Sequence, residues 1–273
     1  MSAGFAAIAA MLKSRSGLIL GPDKVYLLET RLAAIMKREG ARDLAALAEK
    51  LRAGGKLEGD VVEAMTTNES LFFRDSKPFD ALRHRILPRL HAMRPAGAAI
   101  RIWSAAASTG QEAYSIAMIA AELAPSMPGR RVEILGTDIA REPLQRARAG
   151  LYTQFEVQRG LPMTSLVKYF TKEDAQWRIK QSLRDAVTFR EWNLLADPRA
   201  LGQFDIVFCR NVLIYFEPAT KSQVLDGIAR QLAADGVLFL GGAETVLGLT
   251  AAFRAIPGES GAYAPTSSLA RVA

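Results

Sequence analysis

The stretch FDIVFCRNVLIYF, residues Phe204 to Phe216, decides the fold. Its apolar run from Ile206 to Cys209 is typical of a strand buried on both faces of a parallel sheet. Arg210 and Asn211 follow with no turn residue in between. Open α/β sheets bind ligands at the carboxyl ends of their strands, so the pattern predicts that these two residues reach a binding edge. A buried strand with a merely solvated end is the alternative interpretation.

The composition indicates an ordinary globular protein. The chain has 273 residues, of which 49% are hydrophobic and 23% charged, and this fits one large α/β domain with or without a small helical one. No apolar run reaches the roughly 18 residues of a membrane span. Near the N-terminus the basic residues follow the apolar part, unlike in a secretory signal. We therefore expect a cytoplasmic protein with no membrane insertion.

The pattern of apolar residues changes once along the chain. Up to about residue 94 it has helical spacing, as in the stripe formed by Val25, Leu28 and Leu32. From Ile100 onward, strands alternate with helices, which predicts a parallel sheet. An alternating stretch around Trp177 indicates a small β insert at about 151–186. We predict a helical N-terminal domain at 1–94 and an α/β domain at 95–273 that contains this insert.

Most of the net charge of +7 lies in the first third of the chain. Residues 1–95 carry 16 Lys and Arg against 11 Asp and Glu, and the remainder carries 19 against 17. A basic helical face can meet nucleic acid, anionic lipid or an acidic protein. Charge alone does not decide between these partners, or between any partner and a basic face that only contacts solvent.

Polar groups also follow other predicted strands. The loop from Ser104 to Gly110 consists almost wholly of small residues, which let the backbone approach a ligand closely. Neither a G-x-G-x-x-G fingerprint nor a phosphate-binding P-loop lysine is present, which disfavours NAD and favours a nucleoside without phosphates. Asp138 ends the second strand, where a carboxylate can bind ribose hydroxyls. Together these strand ends predict an adenosyl-type cofactor site. The two histidines have no neighbours at ligand spacing, so we expect no metal.

Four motifs occur in a fixed order along the chain. They are NESLFFR at 68–74, SAAASTGQEAYSIA at 104–117, GTD at 136–138 and CRNVLIYF at 209–216. In this order they resemble the chemotaxis receptor methyltransferase (CheR) family. The resemblance implies an all-helical N-terminal domain and a Rossmann-like methyltransferase domain with a small β-subdomain insert. It also implies transfer of a methyl group from S-adenosylmethionine to glutamate side chains of chemoreceptors, giving methyl esters for sensory adaptation and S-adenosylhomocysteine as product.

The resemblance also implies roles for individual residues. The family's cofactor contacts match Asn68, Ser70, Arg74, Glu112, Asp138, Asn193, Leu194, Arg210 and Asn211. Arg74 and Tyr215 match residues near the transferred methyl group, where they are proposed to orient the substrate. The basic face that docks the receptor helices matches Arg31, Lys37 and Arg38. At the position of Ser70 the family more often has threonine, and the hydroxyl is retained.

The expected chemistry requires few catalytic groups. A glutamate substrate has a reference pKa of about 4.3 and is ionised at pH 7, so no general base is needed. Two other functions stay open: a cofactor-binding scaffold without activity, and a methyltransferase for nucleic acid or a small molecule. The N-P-P-Y-type signature of enzymes that methylate exocyclic base amines is missing at CRNVLIYF, so we expect no nucleic-acid partner.

One departure from the family concerns the receptor tether. Members that bind a receptor's C-terminal pentapeptide have a longer, glycine-containing loop in the β-subdomain. Here the segment from Tyr169 to Val187 is short and lacks glycine, which favours the tether-independent type. No hydrophobic heptad seam is visible, so we expect a monomer. The resemblance implies recruitment from the cytoplasm to membrane receptor arrays.

Overall fold

The computed structural model describes residues 3–266, so the outermost ends of both predicted domains lie outside the described residues. The chain forms two compact units. The first comprises Met1–Thr67 and Tyr215–Thr220, and the second comprises Asn68–Ile214 and Lys221–Ala273. Within residues 3–266, no helix combines the length and apolar character needed to cross a membrane.

The first unit is helical, which confirms the predicted class of the N-terminal domain. Its helices are α1 (Ala3–Ser16), α2 (Val25–Glu39), α3 (Leu44–Leu51) and α4 (Lys56–Met65). α1 packs on α3 and α2 packs on α4. Gly4 permits the first contact, because a Cβ there would lie 2.5 Å from the backbone nitrogen of Ala45. The Asp43 side chain begins α3 by accepting the Ala46 N–H at 2.8 Å.

The second unit contains the remaining elements. Its strands are β1 (Ile100–Ala105), β2 (Val132–Asp138), β3 (Leu151–Thr153), β4 (Phe170–Glu173), β5 (Gln176–Ile179), β6 (Val187–Glu191), β7 (Phe204–Cys209), β8 (Leu232–Leu240), β9 (Phe253–Ala255) and β10 (Ala262–Pro265). Its helices are α5 (Lys77–Ala81), α6 (Leu87–Met93), α7 (Gln111–Leu123), α8 (Arg141–Ala149), α9 (Gln154–Gln158), α10 (Met163–Tyr169) and α11 (Gln181–Asp185). Helix α12 (Pro218–Gln231) begins in the first unit and ends in the second.

Two sheets result. The larger has the order β6-β2-β1-β7-β8-β10-β9, in which the first five strands are parallel and the last two antiparallel. The smaller sheet, β3-β5-β4, is antiparallel and lies in the predicted insert. The mainly parallel sheet and the inserted β-subdomain confirm the predicted fold class. β7 is buried along its whole length, as its continuous apolar run predicts.

Helices α5 and α6 belong to the second unit, whereas the predicted domain boundary lies after them at residue 94. Phe79 of α5 stacks on Phe208 of β7 with ring centroids 5.7 Å apart, and Leu87 and Leu90 of α6 are fully buried in the same apolar core. Helical spacing could not show this, because it gives the side of a helix that is buried but not the element that buries it.

Candidate functional site

The polar strand ends meet at the carboxyl edge of the large sheet. From β1 the chain continues to β2 and β6 on one side and then returns to β7 on the other side, so the winding reverses between β1 and β7. Such a reversal is where open α/β sheets bind ligands. Ala105 at the end of β1 lies in register with Cys209, and Arg210 follows directly. We call this edge the switch-point edge.

The backbone at this edge is strained. Six residues other than glycine have positive φ in the described chain, and five of them lie in segments at the switch-point edge: Phe73, Asp75, Ala106, Ser108 and Asn211. Their φ angles lie between 48° and 60°. Each such residue costs about 1–3 kcal/mol, and residues of this kind cluster at functional sites.

Asp138 ends β2 with a buried carboxylate. One oxygen accepts the N–H of Ser108 at 2.8 Å, and the other accepts the N–H of Ala140 at 2.9 Å. These bonds fix the direction of the carboxylate and tie the strained loop after β1 to the end of β2. A carboxylate held in this way is suited to accept hydrogen bonds from the hydroxyls of a ribose.

Glu112 lies in the first turn of α7. Its carboxylate accepts a hydrogen bond from the Ser104 hydroxyl at 2.8 Å and one from Nη1 of Arg210 at 3.1 Å. Burial raises the pKa of this carboxyl group, while Arg210 and Ser104 act against that rise. A carboxyl group is therefore held beside a guanidinium in a poorly hydrated place.

The Arg210 side chain is only 1% exposed and is engaged by protein groups. Nη2 donates to the carbonyl oxygen of Arg74 at 2.9 Å and to the carboxylate of Asp75 at 2.8 Å. Its guanidinium also lies 5.6 Å from the centre of the Phe79 ring. Its predicted contact with the cofactor stays a prediction. What the structure shows is a bridge between Glu112 and the segment that contains Arg74.

The segment from Asn68 to Asp75 lies along the same edge. The carbonyl of Asn68 accepts the Ser108 hydroxyl at 2.9 Å, and the N–H of Phe73 donates to the Ser115 hydroxyl at 3.0 Å. Ser70 and Arg74 are half-buried. Among residues 3–266 the Arg74 guanidinium has no hydrogen bond or ion pair, although its carbonyl is held by Arg210.

Asn193 and Leu194 follow β6. Trp192 donates its N–H to the carbonyl of Asp138 at 2.8 Å, and the Asn193 side chain accepts the N–H of Leu195 at 2.9 Å. Leu194 helps to line a cavity of about 160 Å³ together with Trp103. The indole N–H of Trp192 is buried and has no partner within the described chain, so it is a donor available to a ligand.

Tyr215 is placed in the first compact unit. It ends a short 3₁₀ helix, Leu213–Tyr215, and its carbonyl accepts the N–H of Ile19 at 3.1 Å. The residue is half-buried. Its predicted position near the transferred methyl group stays a prediction.

The three residues predicted to dock a receptor differ in their surroundings. Nη1 of Arg31 donates to the carbonyls of Met65 and Thr66 at 2.8 and 2.9 Å and so holds the end of α4. Arg38 is paired with Glu39 and Asp60. Lys37 is exposed, and its ammonium group has no partner in the part of the chain that the structure describes. Of the three, Lys37 is the one most available to another molecule.

Sequence reasoning missed Ser104, Ser108 and Glu244. Ser104 and Ser108 lie in the small-residue segment that was identified, but the hydrogen bonds of their side chains depend on the fold. Glu244 follows β8 in the sequence Gly241-Gly242-Ala243-Glu244. A polar residue after a strand was the signal used at the other strand ends, and it would have identified Glu244 as well. Its carboxylate accepts four backbone N–H groups.

The residues at the switch-point edge fit an adenosyl cofactor. The fixed carboxylate of Asp138, the strained loop of small residues and the unpartnered indole N–H of Trp192 supply an acceptor, close backbone approach and a donor. In the described chain no group of three or more His, Cys, Asp or Glu residues could hold a metal ion. The edge therefore offers polar contacts for an organic cofactor and none of the clusters that bind metals.

Comparisons with known proteins agree with this geometry. Residues 3–66 match the family described as CheR methyltransferase, all-alpha domain, and residues 68–262 match CheR methyltransferase, SAM binding domain. The chain is 40% identical to the chemotaxis protein methyltransferase Cher2 of Pseudomonas putida over 90% of this chain and 91% of the relative. It is 41% identical to chemotaxis protein methyltransferase 1 of Vibrio cholerae, with 90% of each chain covered.

A more distant relative is the chemotaxis protein methyltransferase of Escherichia coli, which is 35% identical over 89% of this chain and 84% of its own length. The two matched domains together span nearly all of the described residues and follow the helical unit and the sheet unit in order. The resemblance inferred from the four motifs and the S-adenosylmethionine cofactor are thereby confirmed. The chain belongs to the CheR methyltransferase family.

Proposed function

We propose that this methyltransferase esterifies glutamate side chains on the cytoplasmic helices of chemoreceptors and so supports sensory adaptation. Membership of the family and the printed names of the relatives support a substrate from the chemotaxis system. The observation that carries the choice of a carboxylate substrate is the half-buried, unpartnered guanidinium of Arg74 beside the switch-point edge. A guanidinium in that state is suited to hold a carboxylate through charge-assisted hydrogen bonds.

S-adenosylmethionine, when bound, supplies a methyl group activated by its sulfonium. In this proposal Asp138 holds the ribose hydroxyls and Glu112 contacts the amino-acid part of the cofactor. Asn68, Ser70, Asn193, Leu194, Arg210 and Asn211 are the further contacts that we propose. The strained loop from Ala106 to Gly110 gives the cofactor close access to backbone groups.

The protein's contribution to the reaction is positioning. The substrate glutamate is ionised at neutral pH, so no residue must remove a proton. Arg74 orients one oxygen of that carboxylate while leaving the other free to attack, and Tyr215 is its proposed partner in this role. Alignment of this kind can contribute on the order of 7–11 kcal/mol to lowering the barrier. Arg210 holds the carbonyl of Arg74 and thereby limits the movement of the segment.

Docking of the receptor is assigned to the basic face of α2. Arg31, Lys37 and Arg38 are the candidates, and Lys37 has the ammonium group that is not already used. The turn between β4 and β5 is only Asp174 and Ala175 long, which supports docking without a pentapeptide tether. In this proposal the enzyme is a monomer that meets the receptor arrays from the cytoplasm. A binding assay with the isolated pentapeptide tests the tether, and micromolar binding would refute tether independence.

The central test is transfer of a radiolabelled methyl group to a chemoreceptor cytoplasmic fragment. Methyl esters of glutamate release methanol in mild base, whereas N-methyl products do not. We expect base-labile label with the native protein and very little with Arg74→Ala. Label that survives base treatment would refute esterification, and binding of S-adenosylmethionine without any transfer would favour the scaffold function.

A further inference from the structure

Glu244, just after β8, has an unusual set of partners. One carboxylate oxygen accepts the N–H groups of Asn211 and Gly241 at 2.8 and 2.7 Å. The other accepts the N–H groups of Val212 and Leu213 at 2.9 and 2.7 Å. The residue is 9% exposed. A single buried carboxylate therefore gathers three consecutive N–H groups after β7 and one N–H group after β8.

The space around Gly241 leaves no room for a side chain between Glu244 and Asn211. A Cβ on Gly241 would lie 2.7 Å from Oε2 of Glu244, 2.8 Å from Nδ2 of Asn211 and 2.9 Å from the backbone nitrogen of Asn211. Glycine therefore lets the carboxylate and the backbone of Asn211 approach each other. Asn211 itself has φ of 59°, a conformation that costs free energy and needs support from its surroundings.

Hydrogen bonds to a charged acceptor are stronger than neutral ones, and a buried N–H without a partner costs about 1–3 kcal/mol. The carboxylate of Glu244 therefore provides the support that the strained backbone of Asn211 needs. Without it, the N–H groups of Leu213 and Gly241, both buried residues, would have to find other partners. The carboxylate thus fixes the path of the chain from Asn211 to Leu213.

We propose that Glu244 is a positioning residue for methyl transfer. It acts through the segment Asn211–Leu213, which connects the proposed cofactor contacts Arg210 and Asn211 to Tyr215 along the chain. This inference rests on the proposed function, because that function gives those residues their roles. Glu244 itself contacts neither cofactor nor substrate in this proposal.

The test begins with Glu244→Gln, which keeps the shape but replaces one acceptor oxygen by an NH₂ donor that faces N–H groups. We expect kcat at saturating cofactor and receptor to fall about 10- to 100-fold, because misplacement of aligned groups costs about that much. The KM for the receptor fragment should stay nearly unchanged. Two readouts do not involve turnover: faster amide hydrogen exchange at Asn211–Leu213, and weaker binding of S-adenosylhomocysteine in calorimetry.

Gly241→Ala perturbs the same segment from the other side while leaving the charge in place, and it carries the test if Glu244→Gln does not fold. The matched control is Glu259→Gln, which removes a carboxylate paired with Arg85. We expect native kcat and native exchange at Asn211–Leu213 for this control.

A Glu244→Gln or Gly241→Ala protein that loses only thermal stability, with kcat and exchange unchanged, would overturn the proposal. If the native protein itself transfers no methyl group to receptor fragments, the proposed function fails instead. The exchange and S-adenosylhomocysteine measurements then still show whether Glu244 holds the segment.

Discussion

Charged side chains cluster at both ends of the parallel strands of the large sheet, but their pairing differs. At the amino edge, where these strands begin, Arg94 donates to Asp205 at 2.6 and 2.8 Å and to Asp235 at 2.7 and 2.8 Å. Asp205 also accepts the backbone N–H of Arg101 at 2.8 Å. Every nitrogen of the Arg94 guanidinium thus has a carboxylate partner within this chain.

At the switch-point edge, Nη1 and Nη2 of Arg210 are paired, but its buried Nε has no partner in residues 3–266, and neither does the guanidinium of Arg74. Five left-handed residues other than glycine surround that edge, and the sixth in the described chain, Asp174, lies in the turn between β4 and β5. Charge clusters at both edges lie partly out of solvent, so burial does not distinguish a functional cluster from a structural one. The two clusters differ in that the switch-point edge holds the unpaired guanidinium of Arg74 between two residues with positive φ, Phe73 and Asp75.

The largest effect that tests this contrast comes from Arg74→Ala. We expect kcat to fall by about 10²–10³-fold, the usual cost of losing one oriented donor at a reacting centre, with little change in the free energy of unfolding. The matched variant is Arg94→Ala, which should cost about 3 kcal/mol of stability because it leaves two carboxylates without their partner. Radiolabel transfer and urea unfolding measure the two effects.

The contrast between the edges fails if the two variants behave alike. An Arg94→Ala protein that is folded at the assay temperature yet transfers methyl groups as poorly as Arg74→Ala would show that pairing does not separate the two roles. Strong destabilisation by Arg74→Ala would show that its guanidinium has a structural partner after all.

Asp138→Asn should give the next largest effect, on cofactor affinity. Loss of a charged acceptor for two hydroxyls should weaken binding of S-adenosylhomocysteine by about 10- to 100-fold, measured by calorimetry. The control is Asp205→Asn at the amino edge, where we expect lower stability and native affinity. Native affinity in Asp138→Asn would remove Asp138 from the cofactor site.

Much of the fold was predictable because its signals are local. The apolar run in β7, the alternation after Ile100 and the helical stripe of α2 each follow from the period of the apolar residues. The boundary between the compact units could not be predicted, because the apolar residues of α5 and α6 have the same helical spacing as those of the helices before them. Their place with the sheet follows from the three-dimensional packing, in which Phe79 of α5 stacks on Phe208 and Leu87 and Leu90 of α6 lie in the same apolar core.

The candidate site was predictable as a set of strand ends but not as a set of contacts. Asp138 and Arg210 were identified because parallel strands bring their carboxyl ends to one edge. That Arg210 is used to bridge Glu112 and Asp75 could not be read from the sequence, because ion pairs between residues far apart in the chain depend on side-chain placement. Glu244 shows the same limit, since its four partners are backbone groups.

In the described chain the helical unit also has one unpaired and one paired basic residue on α2, Lys37 and Arg38, and we expect a smaller effect there. Lys37→Glu should raise the KM for a receptor fragment by about three- to tenfold at low salt and leave affinity for S-adenosylhomocysteine unchanged, because charges at the rim of an interface mainly change association. Arg38→Glu is the comparison, since Arg38 is already paired with Glu39 and Asp60. An unchanged KM in Lys37→Glu would remove the docking role.

The smallest effect is the pH dependence of stability, which should have opposite signs at the two edges. The Arg94 guanidinium lowers the pKa of Asp235 in the folded protein below its ordinary value of 3.8. The ion pair therefore stabilises the fold fully above about pH 3.8, and this stabilisation is lost as the pH falls towards the lowered pKa. Burial raises the pKa of Glu112 above the ordinary value of 4.5. The folded protein therefore keeps a proton that the unfolded chain releases, and stability decreases as the pH rises from about 4.5 towards the raised value.

Urea unfolding of cofactor-free protein between pH 3 and pH 7 separates the two signs. The stability advantage of the native protein over Asp235→Asn should shrink below about pH 4, by about 0.5 kcal/mol because Asp235 is partly exposed. The advantage over Glu112→Gln should instead shrink as the pH rises above about 4.5. If both differences change in the same direction, the carboxylate of Glu112 is stabilised by Arg210 more than it is penalised by burial. In that case the switch-point edge satisfies the Glu112 carboxylate as fully as the amino edge satisfies its carboxylates, and the contrast rests on the unpaired Arg74 and the residues with positive φ.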